Sequence, residues 1–156
     1  PYAIEKTTAV FTSKELADVG HKVVSAFATS LAHTHGDVSV TLVPLPAEAQ
    51  LVLVYGILAT GVDRDGRADL LLAGNFDGFK PEIGRMGSSN GLLLRADGKG
   101  GFTPIRSAES GFRVPGQSRD IQRVKSGEGG WIVVDGNNGG PLVFRGARPG
   151  GIARRR

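Results

Sequence analysis

The apolar positions change their period along the chain. Leu16, Val19, Val23, Phe27 and Leu31 recur at three- and four-residue steps, the spacing of one helix face. Thr12 and Glu15 precede them at capping-box spacing. His33 and His35 sit where cations suit a helix C-terminus, and Gly36 is a natural stop. The pattern predicts one amphipathic helix over 13–34, weakened at Gly20 by roughly 1 kcal/mol relative to Ala. The two histidines stand two apart, point in different directions on a helix, and are read as exposed terminal residues, not metal ligands.

From residue 37 the period falls to two. Val38, Val40 and Leu42 alternate with polar residues, a half-buried strand that Pro44 and Pro46 end. Residues 51–59 are almost unbroken apolar sequence. They are too short to span a bilayer and predict a buried strand, bent at Gly56. Leu70–Ala73, Leu92–Leu94 and Phe102–Ile105 predict three more strands, the last two joined by a turn at 97–101. Residues 74–90 form a long loop rich in Gly, Asn and Ser. Four short strands joined in order make an antiparallel meander, the size of one propeller blade.

Residues 69–75 (Asp-Leu-Leu-Leu-Ala-Gly-Asn) are similar to 131–137 (Trp-Ile-Val-Val-Asp-Gly-Asn), a step of 62 from 69 to 131. Each is followed by a Gly and a strand-like run, at 91–95 and 140–145. The long loop separates the parts in the first copy and only Asn138 and Gly139 in the second. A multi-strand unit recurring at this period marks a repeat architecture. Two such units do not close a propeller of four to eight blades. Open strand edges follow, so we expect a longer parent chain or self-association.

Composition narrows the picture without naming a chemistry. Among the 156 residues, 40% are hydrophobic, 22% are charged and 24 are Gly, gathered in turn-like clusters and not at a collagen period. Net charge is +4, but Arg154, Arg155 and Arg156 contribute three of it. The basic balance is a tail and not a nucleic-acid surface. Aromatics, at 6%, are too few for base-stacking platforms. There is no Cys, so no disulfide framework is available. No apolar run reaches 18 residues, so no helical membrane span is expected. The chain opens at Pro1 without Met, and we expect a processed or excised piece of a longer protein.

The candidate chemistry lies in 61–75. Asp63, Asp65 and Asp69 surround Gly66, and short carboxylates at such spacing can converge on one hard cation, which takes oxygen ligands. Asp-Gly turns between strands also form without metal, the aspartates accepting from backbone amides. An EF-hand needs Glu at the twelfth position, here Leu72, and a helix after it, where this chain has a strand. Nothing else selects a reaction. There is no nucleophile elbow, no P-loop around Gly98-Lys99, and no carboxylate pair singled out. Arg85, Arg113, Arg119 and Arg123 are read as solvated.

Asp63-x-Asp65-Gly66-x-x-Asp69-Leu70-Leu71, followed by Gly91-Leu92-Leu93-Leu94, Asp97-Gly98 and Gly101-Phe102, resembles the FG-GAP (VCBS) repeat. That repeat builds the integrin α-subunit propeller and many secreted bacterial propellers. Pro44-Leu45-Pro46, Tyr55-Gly56-Ile57-Leu58, Gly84-Arg85, Ser110-Gly111-Phe112 and Arg119-Asp120 extend the likeness to the C-terminal part of bacterial VCBS-repeat proteins akin to cartilage acidic protein. The likeness spans roughly 37–145 and is most specific in 51–105. It implies Ca²⁺ held by Asp63, Asp65 and Asp69 with the carbonyl of Arg67. The first acidic position of that pattern is Gly61 here, which implies a weakened site. The second copy places Lys125, Gly127 and Trp131 at the three acidic positions and has lost the carboxylates.

The expected fold is mainly β: a partial β-propeller of about two antiparallel four-stranded blades, preceded by one amphipathic helix. The expected parts are a helical segment over 1–36, blades over 37–146 and a disordered basic tail over 147–156. The expected function is a non-catalytic, calcium-supported repeat module for binding or adhesion, extracellular or in the cell envelope. Its partner would be a protein or glycan meeting the 76–90 loop. The alternative is an accessory part of a propeller-containing, polysaccharide-acting enzyme. No catalytic and no organic-cofactor residues are assigned.

Overall fold

In a computed structural model, residues 6–17, 19–20, 22–36, 38–51, 53–82, 84–125, 130–148 and 151–154 are described. Among them the protein is mainly β, with three antiparallel sheets and no closed barrel. A two-stranded sheet pairs β1 (Ser30–Thr34) with β2 (Val40–Pro44). A four-stranded sheet runs β3 (Val54–Thr60), β4 (Asp69–Gly74), β5 (Leu92–Ala96), β6 (Phe102–Ile105). A second runs β7 (Ser118–Val124), β8 (Trp131–Gly136), β9 (Leu142–Arg148), β10 (Gly151–Arg154). The helical pieces are one turn each: α1 (Thr7–Val10), α2 (Ser13–Leu16), α3 (Ser107–Ser110) and a 3₁₀ turn at Ala47–Gln50.

The two four-stranded sheets share one pairing scheme. Ile57, Leu58 and Ala59 pair with Leu72, Leu71 and Leu70, and the register slips between Val54 and Gly56. Ile121, Gln122 and Arg123 pair with Val134, Val133 and Ile132, and the register slips between Ser118 and Asp120. Leu70 and Leu72 face Leu94 and Leu92 across the next pair, as Ile132 and Val134 face Phe144 and Leu142. Corresponding residues of β4 and β8 lie 62 apart, the step seen between 69 and 131 in the sequence.

Alternation along the strands decides how the sheets stack. Leu71, Ala73, Leu93 and Ile105 meet Ile121, Ile132, Val134 and Phe144 in one core, joined by Phe112 and Val114 of the linker. The Phe112 and Phe144 rings lie 5.1 Å apart, a tilted pair that adds about 0.5–1.5 kcal/mol beyond its area. On the opposite face of the first sheet, Leu72 and Leu94 pack with Leu45 and Ala49 from the segment after β2, with Leu31 of β1 against them. β4 is therefore apolar on both sides, which explains its unbroken Leu-Leu-Leu-Ala run.

Four expectations need correction. The run at 51–59, expected to be a buried strand, forms β3 at a sheet edge with Tyr55 and Ile57 exposed, and the strand expected to be half-buried around Val38, Val40 and Leu42 forms β2, exposed along its whole length. The helix over 13–34 is confined to α2, where Thr12 and Glu15 do form the capping box; Asp18 and His21 lie outside the described residues. Val23 and Phe27, the middle of the expected stripe, are 89% and 88% exposed. An amphipathic stripe stabilises a helix only when packing covers it, and among the described residues no element covers this one. The end of the stretch instead forms β1, whose main chain pairs with β2 and whose Leu31 joins a core. The basic tail, expected to be disordered, supplies β10: Ile152, Ala153 and Arg154 pair with Gly146, Arg145 and Phe144 of β9. An open strand edge gains a full row of main-chain hydrogen bonds from such pairing, whatever the side-chain charge.

Two glycines are fixed by close backbone approach. A Cβ on Gly56 would meet Ile121 Cγ1 at 2.8 Å and the carbonyl carbon of Asp120 at 3.0 Å, so β3 and β7 touch through their main chains. A Cβ on Gly74 would fall on the carbonyl oxygen of Leu53, whereas at the corresponding Gly136 the nearest atom is 3.5 Å away. Gly74→Ala should therefore lose about 1–3 kcal/mol, the usual penalty of overpacking. Gly136→Ala should stay within about 0.5 kcal/mol of wild type. Urea unfolding of the two variants checks the contrast, and equal losses would contradict it.

Candidate functional site

The acidic loop, 61–68, joins β3 to β4. Asp69 opens β4 and is fully buried (0% exposed). Its Oδ2 accepts the Val62 amide at 2.8 Å and its Oδ1 accepts the Ala96 amide at 3.0 Å. One carboxylate thus ties the loop entrance to the end of β5. Asp63 Oδ1 accepts the Asp65 amide at 3.1 Å, and Asp65 Oδ1 accepts the Arg67 amide at 2.8 Å. These are successive Asx turns, in which a short side chain stands in for backbone. Arg64 and Gly66 take positive φ between them, at 66° and 86°.

Arg67 closes the loop from outside. Its guanidinium pairs with Asp65 Oδ2 and lies against Gly98, where a Cβ would stand 3.0 Å from its Nη1. Gly98 belongs to the β5–β6 turn, in which Asp97 Oδ1 accepts the amides of Lys99 at 2.7 Å and Gly101 at 2.9 Å. The two turns at this end of the sheet are therefore joined by Asp69 and Arg67. Hydrogen bonds set the acidity here. The Arg67 amide, and then the Arg67 charge, hold Asp65 below its ordinary 3.8. The amides of Lys99 and Gly101 do the same for Asp97.

The residues that the resemblance assigns to calcium are close in sequence but do not converge. Asp69 spends an oxygen on each of two amides, Asp65 faces a guanidinium, and Asp63 serves an Asx turn. The neck of the loop is closed as well: a Cβ on Gly61 would come within 3.1 Å of the Arg67 carbonyl oxygen. Among the described residues, no group of three or more His, Asp or Glu side chains is arranged to hold a metal ion. In this arrangement Asp63 and Asp69 accept backbone amides and Asp65 accepts an amide and pairs with Arg67. This fits the other reading of an Asp-Gly loop, carboxylates satisfied by backbone amides.

The opposite end of the same sheet carries the long loop. Its root is Asn75, 3% exposed with φ 77°. The Asn75 amide nitrogen donates to the carbonyls of Ser89 at 2.6 Å and Gly116 at 2.8 Å, and its Oδ1 accepts the Ser89 amide at 3.2 Å. One buried side chain closes the loop and fastens it to the linker before β7. An isolated bridge between Phe76 and Met86 continues the closure. A cleft of about 440 Å³ opens here, lined by Asn75, Asp77, Arg85, Ser88, Ser89 and Asn90.

Arg119 sits beside this root. It was expected to be solvated, yet its guanidinium lies 4.5 Å from the Tyr55 ring centroid and 5.6 Å from that of Phe76. Its Nη1 donates to the Asn75 carbonyl at 3.2 Å and its Nη2 to Gln117 Oε1 at 2.8 Å. Phe79 meets Phe76 edge-on at 4.9 Å. Tyr55 and Arg119 are the residues at which the two sheets slip register, so the slip brings an aromatic and a cation together. Arg123 also reaches the first sheet, donating to Thr60 Oγ1 at 3.1 Å. The sequence carried one signal for this end, the Gly-Asn pair after the apolar run, and none for the Arg119 stack.

Comparison with protein-family models, with curated proteins and with solved structures gives no match for the chain.

Asp69→Ala should leave two amides without an acceptor and cost about 2 kcal/mol or more, while Asp63→Ala should cost about 0.5–1 kcal/mol. Denaturant midpoints of the two variants test this, and a milder Asp69 variant would refute the staple. A second expectation concerns acid. A carboxyl whose folded-state pKa lies below its ordinary value adds stability that is present above that value and is lost as pH falls through the lowered one. Below about pH 3.8 the melting temperature should therefore fall. Asp97→Asn should flatten that fall, and identical profiles for variant and wild type would remove Asp97 from the account.

Proposed function

We propose that the chain is a non-catalytic binding module built on propeller-type blades, with the 76–90 loop as its contact surface for a protein or glycan. The observation that carries this is an asymmetry between two sheets of one pairing scheme. In the second sheet residues 137–141 suffice to join β8 to β9, whereas the first spends residues 75–91 on the same connection and locks their root with Asn75. Binding surfaces are commonly loops set on a rigid frame, and the cleft at this root presents Asp77, Arg85 and Ser88. The likeness to FG-GAP repeats supports an extracellular or cell-envelope setting.

The same likeness implies calcium support, and for a cation to reach Asp65 the Arg67 guanidinium must give way, whereas Asp69 accepts one amide on each oxygen and keeps a further lone pair on each. We assign the closure of this loop to those contacts. Calorimetric titration with Ca²⁺, on wild type and Asp65→Ala, should show no saturable heat. A heat that disappears in Asp65→Ala would restore calcium as the closing group.

The binding reading is tested by applying the labelled chain to a glycan array and to immobilised extracellular-matrix proteins. We expect retention on a subset of these, reduced at least tenfold by Asp77→Ala combined with Arg85→Ala. Retention unchanged in that variant, or none by the wild type, would overturn the reading. Release of shortened saccharide would favour a polysaccharide-acting enzyme instead.

A further inference from the structure

The hairpin of β1 and β2 repeats the outer half of the first four-stranded sheet. Leu31, Ala32, His33 and Thr34 pair with Val43, Leu42, Thr41 and Val40. Leu93, Leu94, Arg95 and Ala96 pair with Ile105, Pro104, Thr103 and Phe102. Every one of these eight positions moves by the same 62 residues, the step that relates β4 to β8. The turns agree too. The His35 amide donates to the Ser39 carbonyl at 2.9 Å, as the Asp97 amide does to that of Gly101 at 3.0 Å. Leu31 packs toward the sheet that follows it, as Leu93 does.

The hairpin differs from its counterpart in what lies beside it. β5 has β4 on its other edge, with Leu70, Leu71 and Leu72 opposite Leu94, Leu93 and Leu92. β1, among the described residues, pairs with β2 alone. Val40 and Leu42 are 58% and 53% exposed, whereas their counterparts Phe102 and Pro104 are half-buried, and Ala32 is exposed where its counterpart Leu94 is fully buried. β1 holds no Lys and no Pro, the residues that commonly guard an open edge.

We propose that the free edge of β1 is a docking site for one antiparallel strand of the β4 kind, an extended segment with three consecutive branched apolar residues. It would pair with Ala32, Leu31 and Ser30 in the register that Leu70, Leu71 and Leu72 take on β5. Main-chain hydrogen bonds give such strand addition its affinity, and alternate side chains give it register. The occupant is identified by continuity: the β4–β5 interface is repeated here with one side missing. The proposal rests on the repeat within the functional reading and not on the long loop, so the two fail separately.

The chain has no Cys, which makes a cross-linking test clean. The probe is a synthetic peptide of residues 65–75. Ala32→Cys, at an exposed position, is mixed in a glutathione redox buffer with the peptide carrying Leu70→Cys or Leu71→Cys. Residues directly opposite across an antiparallel pair lie within disulfide reach. The Leu70→Cys peptide should cross-link at least tenfold more than the Leu71→Cys peptide. With the wild-type chain, the unmodified peptide should slow hydrogen exchange at the β1 amides at least tenfold. Equal yields, no cross-link or unchanged exchange would overturn the proposal. A disulfide dimer of Ala32→Cys exceeding the peptide adduct would overturn it in favour of a second copy as the occupant.

Discussion

A sheet of four short strands with apolar residues on both faces cannot stand alone in water, and this constraint organises the molecule. Fully burying one Leu or Ile side chain contributes about 1.5–3 kcal/mol, and β4 presents such residues on both sides. Both faces of the first sheet must therefore be covered. The second sheet covers one through Ile132, Val134 and Phe144, and the segment around Leu45 and Ala49 covers the other. The same positions, Leu70, Leu72, Leu92 and Leu94 in one sheet and Ile132, Val134, Leu142 and Phe144 in the next, turn toward the preceding element. The direction of stacking is thus written in the pleat, because a one-residue slip would turn the opposite face inward.

Close stacking places demands on the backbone that explain residues otherwise unremarkable. Gly56 lets β3 lie against β7, and Gly74 admits the Leu53 carbonyl. Where the register slips, Tyr55 and Arg119 stand out of the ladder and stack on each other. Successive connections of a meander leave from alternate ends, so each end can be closed on its own terms. One end is closed by a buried carboxylate and an arginine, Asp69 and Arg67. The other is closed by a buried amide, Asn75, whose two-sided hydrogen bonding suits carbonyls and an amide together.

The strands were legible because their period and their turns are local properties. The runs at 51–59, 70–73, 92–94 and 102–105, and the bend at Gly56, correspond to β3 through β6 and a register slip, but β3 lies at a sheet edge with Tyr55 and Ile57 exposed, where an unbroken apolar run had implied burial. The stretch 13–34 misled because periodicity records a capacity to form a face, and only packing decides whether the face is used. Among the described residues Val23 and Phe27 are left exposed, while Leu31 packs on the first sheet. The acidic loop was legible as a turn, but Asp63, Asp65 and Asp69 are equally good partners for a cation and for amides. The contacts of Arg67 and of the Ala96 amide with these carboxylates could not be read in the sequence, since the latter is fixed by the fold and not by loop spacing. The Arg119 stack was illegible for the same reason, since no local pattern relates residue 119 to residue 55.

The long connection of the first sheet shows why such a frame can carry varied surfaces. Loop-closure entropy rises only with the logarithm of length, so lengthening the short link of the second sheet to that of the first costs about 1 kcal/mol. A single net hydrogen bond contributes a comparable amount, and the Asn75 side chain, itself 3% exposed, makes three. The root therefore offsets the extra length by itself, and residues beyond it are released from any duty to the core. Asp77, Arg85 and Ser88 can change without disturbing Leu71 or Phe144, whereas Asn75 cannot. If the loop binds as proposed, stability and recognition fall to different residues of it, and the boundary between them is Asn75.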